Sequence, residues 1–200
     1  LYERNSLEDI IEETSKNIFV PITVSGGIRS IQDVKKILRS GADKVAINTA
    51  AIKNENIIND ISNKFGSSTI VLSVHAKRVG SKWEAYYDNG RERSYLDVFE
   101  WIKKAQDLGV GEILLTSIDN DGTQNGYDIN LINMAMKKVN VPIIASGGMG
   151  NLTHIENLIK ETSVDAISIS HCLHYNKFSV SEVREFCLSK NFPVRKVTSK

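Results

Sequence analysis

An internal repeat is the feature that most constrains how this 200-residue chain can fold. Residues 21–30, Pro-Ile-Thr-Val-Ser-Gly-Gly-Ile-Arg-Ser, match residues 142–151, Pro-Ile-Ile-Ala-Ser-Gly-Gly-Met-Gly-Asn. One helical pattern later, Ala-Asp-Lys-Val-Ala-Ile-Asn at 42–48 matches Val-Asp-Ala-Ile-Ser-Ile-Ser at 164–170. The copies start 121 residues apart, which is enough chain for four strand–helix units. Two repeats of four units predict an α/β protein whose fold is a (β/α)₈ barrel made of half-barrel repeats.

The rest of the chain alternates in the same way between short apolar runs and amphipathic helical patterns. Continuous apolar strands separated by single helices predict a parallel sheet that is covered on both faces. A polar aromatic segment at 83–91 with an Asn-Gly turn predicts a hairpin inserted after the third strand. The predicted strands are 21–24, 44–47, 69–74, 112–116, 142–145 and 165–169, and the predicted helices are 6–16, 30–41, 54–65, 97–109, 130–139, 151–160 and 179–188.

Only six of the eight strands that the repeat implies are found in this sequence. The two others would precede Leu1, as counterparts of the strands that begin at Thr69 and Glu112. An open six-stranded sheet would leave two unpaired edges, which favour aggregation. We therefore expect residues 1–200 to be a single barrel domain that lacks its first two units.

The composition excludes several classes of protein. Lys and Arg total 25 against 24 Asp and Glu, and this balance argues against a dedicated nucleic-acid binder. Cys172 and Cys187 are too few for a disulfide scaffold and fit a reducing cytoplasm. No apolar run approaches the length that spans a bilayer, so we expect no membrane association.

Two Ser-Gly-Gly turns follow strands in equivalent positions of the repeat. In a (β/α)₈ barrel the loops at the carboxyl ends of the strands form the active site, and glycines let backbone N–H groups approach an anion closely. Two such turns suggest a substrate with a phosphate at each end, although Gly-Gly can also serve only as a tight turn. The first predicted phosphate cradle comprises Gly26, Gly27, Asn48 and Thr49, and the second comprises Gly147, Gly148, Ser170 and His171.

Titratable side chains follow the third and fourth predicted strands. Asp119 and Asp121, beside Gly122, could act as general acid or base or bind a metal, but Asp-Gly is equally common turn chemistry. His75 would face the same barrel mouth and could relay protons, although a lone strand-end histidine is more often structural. The histidines show no metal-ligand spacing, so we predict no metal site.

Four segments of the sequence form a specific set. The most specific is Gly-Glu-Ile-Leu-Leu-Thr-Ser-Ile-Asp-Asn-Asp-Gly-Thr at 111–123. The others are Val-Ala-Ile-Asn-Thr-Ala-Ala at 45–51, His-Ala-Lys-Arg-Val at 75–79 and Ile-Ala-Ser-Gly-Gly at 144–148. They resemble the cyclase subunit of imidazole glycerol phosphate synthase, and the resemblance runs from about Ser6 to Arg195. The resemblance implies a lyase of histidine biosynthesis that uses ammonia, without a cofactor, to convert a bisphosphate ribonucleotide into imidazole glycerol phosphate and an aminoimidazole carboxamide ribonucleotide.

The resemblance also implies roles for individual residues. Lys44 and Glu112 would belong to a charged ring that gates ammonia at the opposite end of the barrel, with Asp43 near a glutaminase subunit in a heterodimer. An ordinary salt bridge would explain the Lys44–Glu112 pair equally well. Phosphates would lie at the two cradles, and further substrate contacts would come from Thr116, Asp121 and Gly122.

Two positions depart from the family pattern. One family catalytic aspartate would precede Leu1, and the other corresponds to His75, which cannot supply a fixed negative charge. His171 replaces a small hydroxyl residue at the second cradle. These departures leave two alternatives open: an ammonia-channelling partner in the amidation of a surface-polysaccharide sugar, and a non-catalytic barrel that only docks a glutaminase.

Overall fold

The structure, a computed structural model, describes residues 4–196 of the chain. Of the predicted 1–200 domain, residues 1–3 and 197–200 therefore lie outside the described residues. The described part is an α/β fold of TIM-barrel type, in which six parallel strands form a curled sheet with helices between them. The strands in chain order are β1 Thr23–Ser25, β2 Lys44–Ile47, β3 Ile70–Val79, β4 Lys82–Tyr87, β5 Glu92–Asp97, β6 Glu112–Ser117, β7 Ile143–Ser146 and β8 Ala166–Ile167.

The parallel strands are hydrogen-bonded in the order β1-β2-β3-β6-β7-β8, so neighbours in space follow one another along the chain. This order confirms the predicted alternation of strands and helices. The helices are α1 Arg4–Asn17, α2 Ile31–Arg39, α3 Thr49–Lys53, α4 Asn56–Phe65, α5 Val98–Asp107, α6 Ile129–Met136, α7 Leu152–Glu161, α8 His171–His174 and α9 Val180–Ser189.

Alternate side chains of each parallel strand point to opposite faces of the sheet. In β6, Ile113 and Leu115 are buried under the helices, whereas Leu114 and Thr116 are partly exposed on the other face. The buried side chains join Val34, Ile58 and Ile102 from the helices in one apolar core. A second apolar cluster lies under α6, α7 and α9. Because one set of alternate side chains packs against the helices, the other set faces the concave side of the curled sheet.

The inserted hairpin is longer than the sequence predicts. Strand β3 continues to Val79 and pairs antiparallel with β4, and β4 pairs in turn with β5. The predicted Asn-Gly turn is present between β4 and β5, where Asp88, Asn89 and Gly90 all have positive φ. The insertion is therefore an antiparallel extension of β3 rather than a separate unit.

Trp83 joins this hairpin to the body of the fold. Its Nε1–H donates to Asp128 Oδ2 over 3.2 Å, and its ring meets the Phe99 ring edge-on at a centroid distance of 5.8 Å. The same Asp128 caps α6 by accepting a hydrogen bond from the Leu131 N–H. One indole thus connects the hairpin with α5 and α6.

The repeat in the sequence corresponds to a repeated contact in the structure. Asp43 Oδ2 accepts a hydrogen bond from the Ile22 N–H at 2.7 Å, and Asp165 Oδ2 accepts one from the Ile143 N–H at 2.9 Å. In each case an aspartate at the start of one strand holds the start of the preceding strand. The two copies are therefore equivalent in structure as well as in sequence.

A helix start departs slightly from its prediction. Ser30 caps α2 by accepting from the Asp33 N–H, and the Asp33 carboxylate accepts from the Arg29 N–H. The helix spans Ile31–Arg39, inside the predicted range 30–41.

Candidate active site

A row of polar side chains crosses the sheet at the carboxyl ends of the strands. His75 in β3 is in register with Thr116 in β6, and Thr116 is in register with Ser146 in β7. Residues in register on parallel strands lie side by side and point to the same face. The structure thus places the predicted residues His75 and Thr116 next to each other at the barrel mouth.

The first predicted cradle lies beside this row. Gly26 and Gly27 follow β1 with positive φ of 99° and 69°, and a Cβ at either position would meet nothing within 4 Å. Asn48 and Thr49 follow β2, which pairs with β1 in register. All four residues line one cavity of about 760 Å³ together with His75. Residues from three strand ends thus surround a space large enough for a small phosphorylated molecule.

Charged residues that the sequence analysis did not single out line the same cavity. Arg29 comes two residues after the glycine turn, and Lys53 lies one helical turn after Thr49. Two cations beside a glycine turn favour an anionic ligand. Their spacing from the Gly-Gly and Asn-Thr motifs was a signal that could have identified them.

The tip of the hairpin forms one wall of this cavity. Asp88 and Asn89 line it, and the Asp88 N–H donates to Thr49 Oγ1 over 3.1 Å. A Cβ added to Gly90 would lie 3.7 Å from His75 Nδ1. The inserted hairpin therefore reaches both the first cradle and His75, a relation that no local pattern in the sequence contains.

Burial lowers the pKa of His75 below its ordinary value of 6.5, and the negative charge of Asp121 acts in the opposite direction. Burial disfavours the imidazolium ion because it removes the ion from water, whereas a nearby carboxylate favours it. Since burial has the larger effect, the His75 ring is neutral at neutral pH. A neutral imidazole can accept a proton from a bound substrate.

The two aspartates after β6 have different surroundings. Asp119 Oδ2 accepts a hydrogen bond from the Arg78 N–H at 2.7 Å, so this carboxylate holds the end of β3. Asp121 is exposed, and a Cβ added to Gly147 would lie 3.4 Å from the Asp121 Cβ. Gly122 has a positive φ of 75° and open space around it. Asp121 is therefore the aspartate that is placed beside the second Gly-Gly turn and acts on His75.

The second predicted cradle is more closely packed than the first. The Gly126 N–H donates to the Gly148 carbonyl over 2.8 Å, and a Cβ on Gly148 would come within 1.9 Å of the Gly126 oxygen. Ser170 precedes α8, and the His171 ring lies 4.6 Å from the Tyr175 ring between centroids. The 760 Å³ cavity is not lined by any residue of the second predicted cradle, which comprises Gly147, Gly148, Ser170 and His171. Gly148 is thus required by loop packing, whatever its role toward a phosphate.

The opposite end of the sheet carries the predicted gate residues. Lys44 Nζ lies 2.8 Å from Glu112 Oε2, across the intervening strand β3. Both side chains are partly buried, with 29% and 20% of their surface exposed. Asp43, beside Lys44, uses one carboxylate oxygen to hold Ile22, as described above. The Lys44–Glu112 contact is confirmed, and its role as a gate stays a prediction.

The described helices include none that is both long and apolar enough to cross a membrane. Within residues 4–196, no group of three or more His, Cys, Asp or Glu side chains is arranged to hold a metal ion.

Comparison with known proteins identifies the family. The family model described as "Histidine biosynthesis protein" matches residues 2–179. Imidazole glycerol phosphate synthase subunit HisF of Prochlorococcus marinus strain MIT 9515 is 44% identical over 195 residues, which cover 96% of this chain and 76% of that protein. The HisF subunit of Dehalococcoides mccartyi strain BAV1 is 42% identical over 193 residues, with the same coverage of both chains. The chain therefore belongs to the histidine biosynthesis protein family, and its relatives there include the HisF subunits of imidazole glycerol phosphate synthase.

Proposed function

We propose that this protein is the cyclase subunit of an imidazole glycerol phosphate synthase. In that role it uses ammonia to convert a bisphosphate ribonucleotide into imidazole glycerol phosphate and an aminoimidazole carboxamide ribonucleotide. The observation that carries the proposal is the 760 Å³ cavity that gathers Gly26, Gly27, Asn48, Thr49 and His75 at one end of the sheet. The identity of 42–44% with HisF subunits supports the same reaction.

The two ends of the substrate bind in this proposal at the two Gly-Gly turns. The first cradle holds one phosphate through the backbone of Gly26 and Gly27 and through Thr49. The second phosphate binds at Gly147 and Gly148 with Ser170 and His171. Thr116, Asp121 and Gly122 contact the substrate between them, because Thr116 is beside His75 and Asp121 is beside Gly147. The described residues belong in this proposal to a single closed barrel.

His75 moves a proton in the proposed mechanism, and Asp121 assists it. The neutral His75 ring accepts a proton from the substrate as ring closure proceeds, and Asp121 stabilises the imidazolium ion that forms. A positioned acid or base typically contributes about 10²–10⁴-fold to a rate.

Ammonia enters in this proposal from a glutaminase subunit at the opposite end of the sheet. The relatives are named as subunits, which supports a partner. Asp43 lies at that end, and Lys44 and Glu112 form the ion pair that ammonia must pass.

The decisive experiment measures turnover of the bisphosphate ribonucleotide by the full-length protein, with excess ammonium salt in place of a glutaminase. Release of imidazole glycerol phosphate is the expected result. A folded sample that binds the substrate but releases no product would contradict the proposal. The variant His75→Asp separates the role of the ring from that of the cavity. We expect it to turn over faster when substrate binding is retained, because a carboxylate supplies the fixed negative charge that imidazole lacks. Unchanged turnover with binding confirmed would contradict this expectation.

His75 also favours a second candidate function. The resemblance aligns this neutral side chain with a catalytic aspartate, and a different side chain there suits a different acceptor. The acceptor would be an amino sugar of a surface polysaccharide, amidated with ammonia from the same kind of partner. Turnover of such a sugar and none of the ribonucleotide would favour this candidate. Stimulation of the glutaminase with neither acceptor converted would indicate a docking barrel.

A further inference from the structure

The pairing of β4 with β5 is interrupted in the middle of the hairpin. The ladder joins Tyr86 to Arg93 and Glu84 to Asp97. Only one residue separates the paired positions on β4, whereas residues 94–96 separate them on β5, so the longer side forms a bulge. A bulge bends its strand and increases its twist, and next to an active site it commonly re-aims a side chain.

The backbone of this bulge is strained at Tyr95. Its φ is 62°, in the left-handed region that bulky residues rarely adopt. Tyr95 is also 78% exposed, so burial of its ring does not hold this conformation. A strained residue persists only where surrounding contacts fix it, and such residues cluster at functional sites.

Glu84 and Arg93 supply the contacts that fix the bulge. Glu84 Oε1 accepts hydrogen bonds from the Tyr95 N–H at 2.9 Å and from Arg93 Nε at 3.2 Å, and Glu84 Oε2 accepts one from Arg93 Nη2 at 2.7 Å. The Glu84 side chain is only 12% exposed. Hydrogen bonding to Arg93 lowers the pKa of Glu84, which keeps the carboxylate ionised at neutral pH. A bidentate ion pair thus holds the bulge from both strands.

The part of β4 that follows the bulge contacts His75. Tyr86, the first paired residue beyond the bulge, is in register with His75 of β3 and is only 7% exposed. The turn after it brings Gly90 close to the His75 ring, where an added Cβ would lie 3.7 Å from Nδ1. The hairpin therefore lies along one side of His75 and β6 along the other, and loosening of the bulge would expose the ring to water.

Glu84 and Arg93 do not line the cavity that contains His75. They can therefore influence the ring only through the hairpin or through long-range charge. The charged and titratable groups around His75 come from β3, the hairpin, the loop after β6 and the cavity wall, and they are Lys77, Tyr86, Asp88, Asp121, Arg29 and Lys53.

We propose that Glu84 and Arg93 are positioning residues of the active site, because their ion pair holds the hairpin against His75 and keeps the ring shielded from water. Neither residue belongs to a cradle, and neither takes part in proton transfer. The proposal rests on the proposed function for the role of His75 as proton acceptor.

The experiment measures the pKa of His75 by ¹H–¹⁵N NMR titration of the full-length protein without substrate. Burial holds this pKa below 6.5, so release of the hairpin should raise it toward 6.5. Arg93→Ala and Glu84→Ala each break the ion pair, and we expect both to raise the pKa of His75. Lys160→Ala is the matched control, because it breaks a contact of 2.6 Å to a similarly buried glutamate in α7 and should leave that pKa unchanged.

The two alanine variants also separate positioning from a simple effect of charge. Loss of Arg93 removes a positive charge, which by itself raises the pKa of a histidine, whereas loss of Glu84 removes a negative charge, which by itself lowers it. Release of the hairpin moves the pKa upward in both variants. Shifts in opposite directions, or no shift in either variant, would overturn the proposal. An equal rise in Lys160→Ala would overturn it as well.

Arg93→Lys provides the test in case Glu84→Ala does not fold. The Arg93 side chain is 46% exposed, and lysine keeps its charge but cannot form two parallel bonds to a carboxylate. The pKa of His75 should rise in this variant, by less than in Arg93→Ala. An unchanged pKa would show that only the charge matters and would overturn the positioning role.

The pH profile of ammonium-driven turnover is a second measurement that distinguishes this proposal from the proposed function. Because the neutral ring accepts the proton, a higher pKa of His75 should move the acidic limb of the profile to higher pH in Arg93→Ala. A pKa that rises without any movement of the profile would support the positioning role and contradict His75 as proton acceptor. A profile that moves while the pKa stays the same would overturn the positioning role.

Discussion

The ring of His75 is subject to two opposing electrostatic influences, since burial lowers its pKa and Asp121 raises it. We therefore expect Asp121→Asn to lower the pKa of His75 further. The measurement is a ¹H–¹⁵N NMR titration of the His75 ring in both proteins. Asp119→Asn is the matched control, because Asp119 is bonded to the Arg78 N–H and should influence the His75 ring less. An unchanged or higher pKa in Asp121→Asn would contradict the proposed pairing.

The same pKa contributes to how stability responds to pH. The folded protein resists protonation of His75, whereas the unfolded chain takes up that proton near the ordinary value of 6.5. Stability is therefore lost as the pH falls below 6.5 and stops falling once the folded ring is also protonated. Urea unfolding at several pH values should show a smaller loss in His75→Gln. An equal loss in both proteins would assign the pH dependence to other groups.

Two glycines with nearly the same φ angle provide a second test at the residue scale. Gly26 and Gly148 have φ of 99° and 101°, but only Gly148 has a neighbour that a Cβ would strike, the Gly126 oxygen at 1.9 Å. Gly26→Ala should lower the free energy of unfolding by about 1–3 kcal/mol through backbone strain alone. Gly148→Ala should cost about 4 kcal/mol or more, because the clash adds to the strain. Equal losses in thermal or urea unfolding would show that the close approach does not matter.

At the scale of secondary-structure elements, a double-mutant cycle can measure the coupling free energy between Trp83 of the hairpin and Asp128 of the α6 cap. Trp83→Phe removes the Nε1–H bond to Asp128 and should cost about 1 kcal/mol. Asp128→Ala removes that bond and the α6 cap together and should cost about 2 kcal/mol. Because both changes remove the same bond, the double variant should be less destabilised than the sum of the two. Additive losses would contradict the coupling.

The elements also show which parts of the fold the sequence can predict. The starts of β2, β6 and β7 lie within a residue of their predicted positions, because each is a short apolar run that must be buried. Strand β5, Glu92–Asp97, extends beyond the predicted hairpin segment 83–91, and its residues are mostly exposed and polar. Periodicity detects burial, so it cannot detect a strand that is held by pairing with β4 and by surface contacts such as the Arg93–Glu84 ion pair.

The candidate site likewise has parts that the sequence predicts and parts that it does not. The Gly-Gly turn at 26–27 was predictable because it recurs at 147–148, and the pair at 48–49 was predictable because it follows the matching strand, where the second copy has Ser170 and His171. The hydrogen bonds from Asn48 to Tyr86 and from Asp88 to Thr49 join residues 38 and 39 positions apart, between the first cradle and the inserted hairpin. Such contacts depend on tertiary packing and leave no local pattern.

At the scale of the whole molecule, the two ends of the sheet have separate proposed tasks. The substrate cradles lie at the carboxyl ends of the strands, and the Lys44–Glu112 pair lies at the other end. Glu112→Gln should therefore reduce glutamine-driven turnover in the complex by roughly tenfold, an ordinary size for coupling between sites, and change ammonium-driven turnover much less. Lys103→Met is the matched control, because it breaks a surface pair of similar length, 2.7 Å, in α5. Equal losses with both nitrogen sources would contradict a gate.

The contacts of Trp83 also give the protein an optical property. Both of its tryptophans, Trp83 and Trp101, are 4% exposed, and of the two only Trp83 lies on the hairpin, where its indole donates to Asp128. Release of the hairpin would expose the Trp83 indole to water and shift its fluorescence emission to longer wavelengths. The variant Trp101→Phe would leave Trp83 as the single emitter. The intrinsic fluorescence of that variant would then report release of the hairpin from the helices without an added label, for example during urea unfolding.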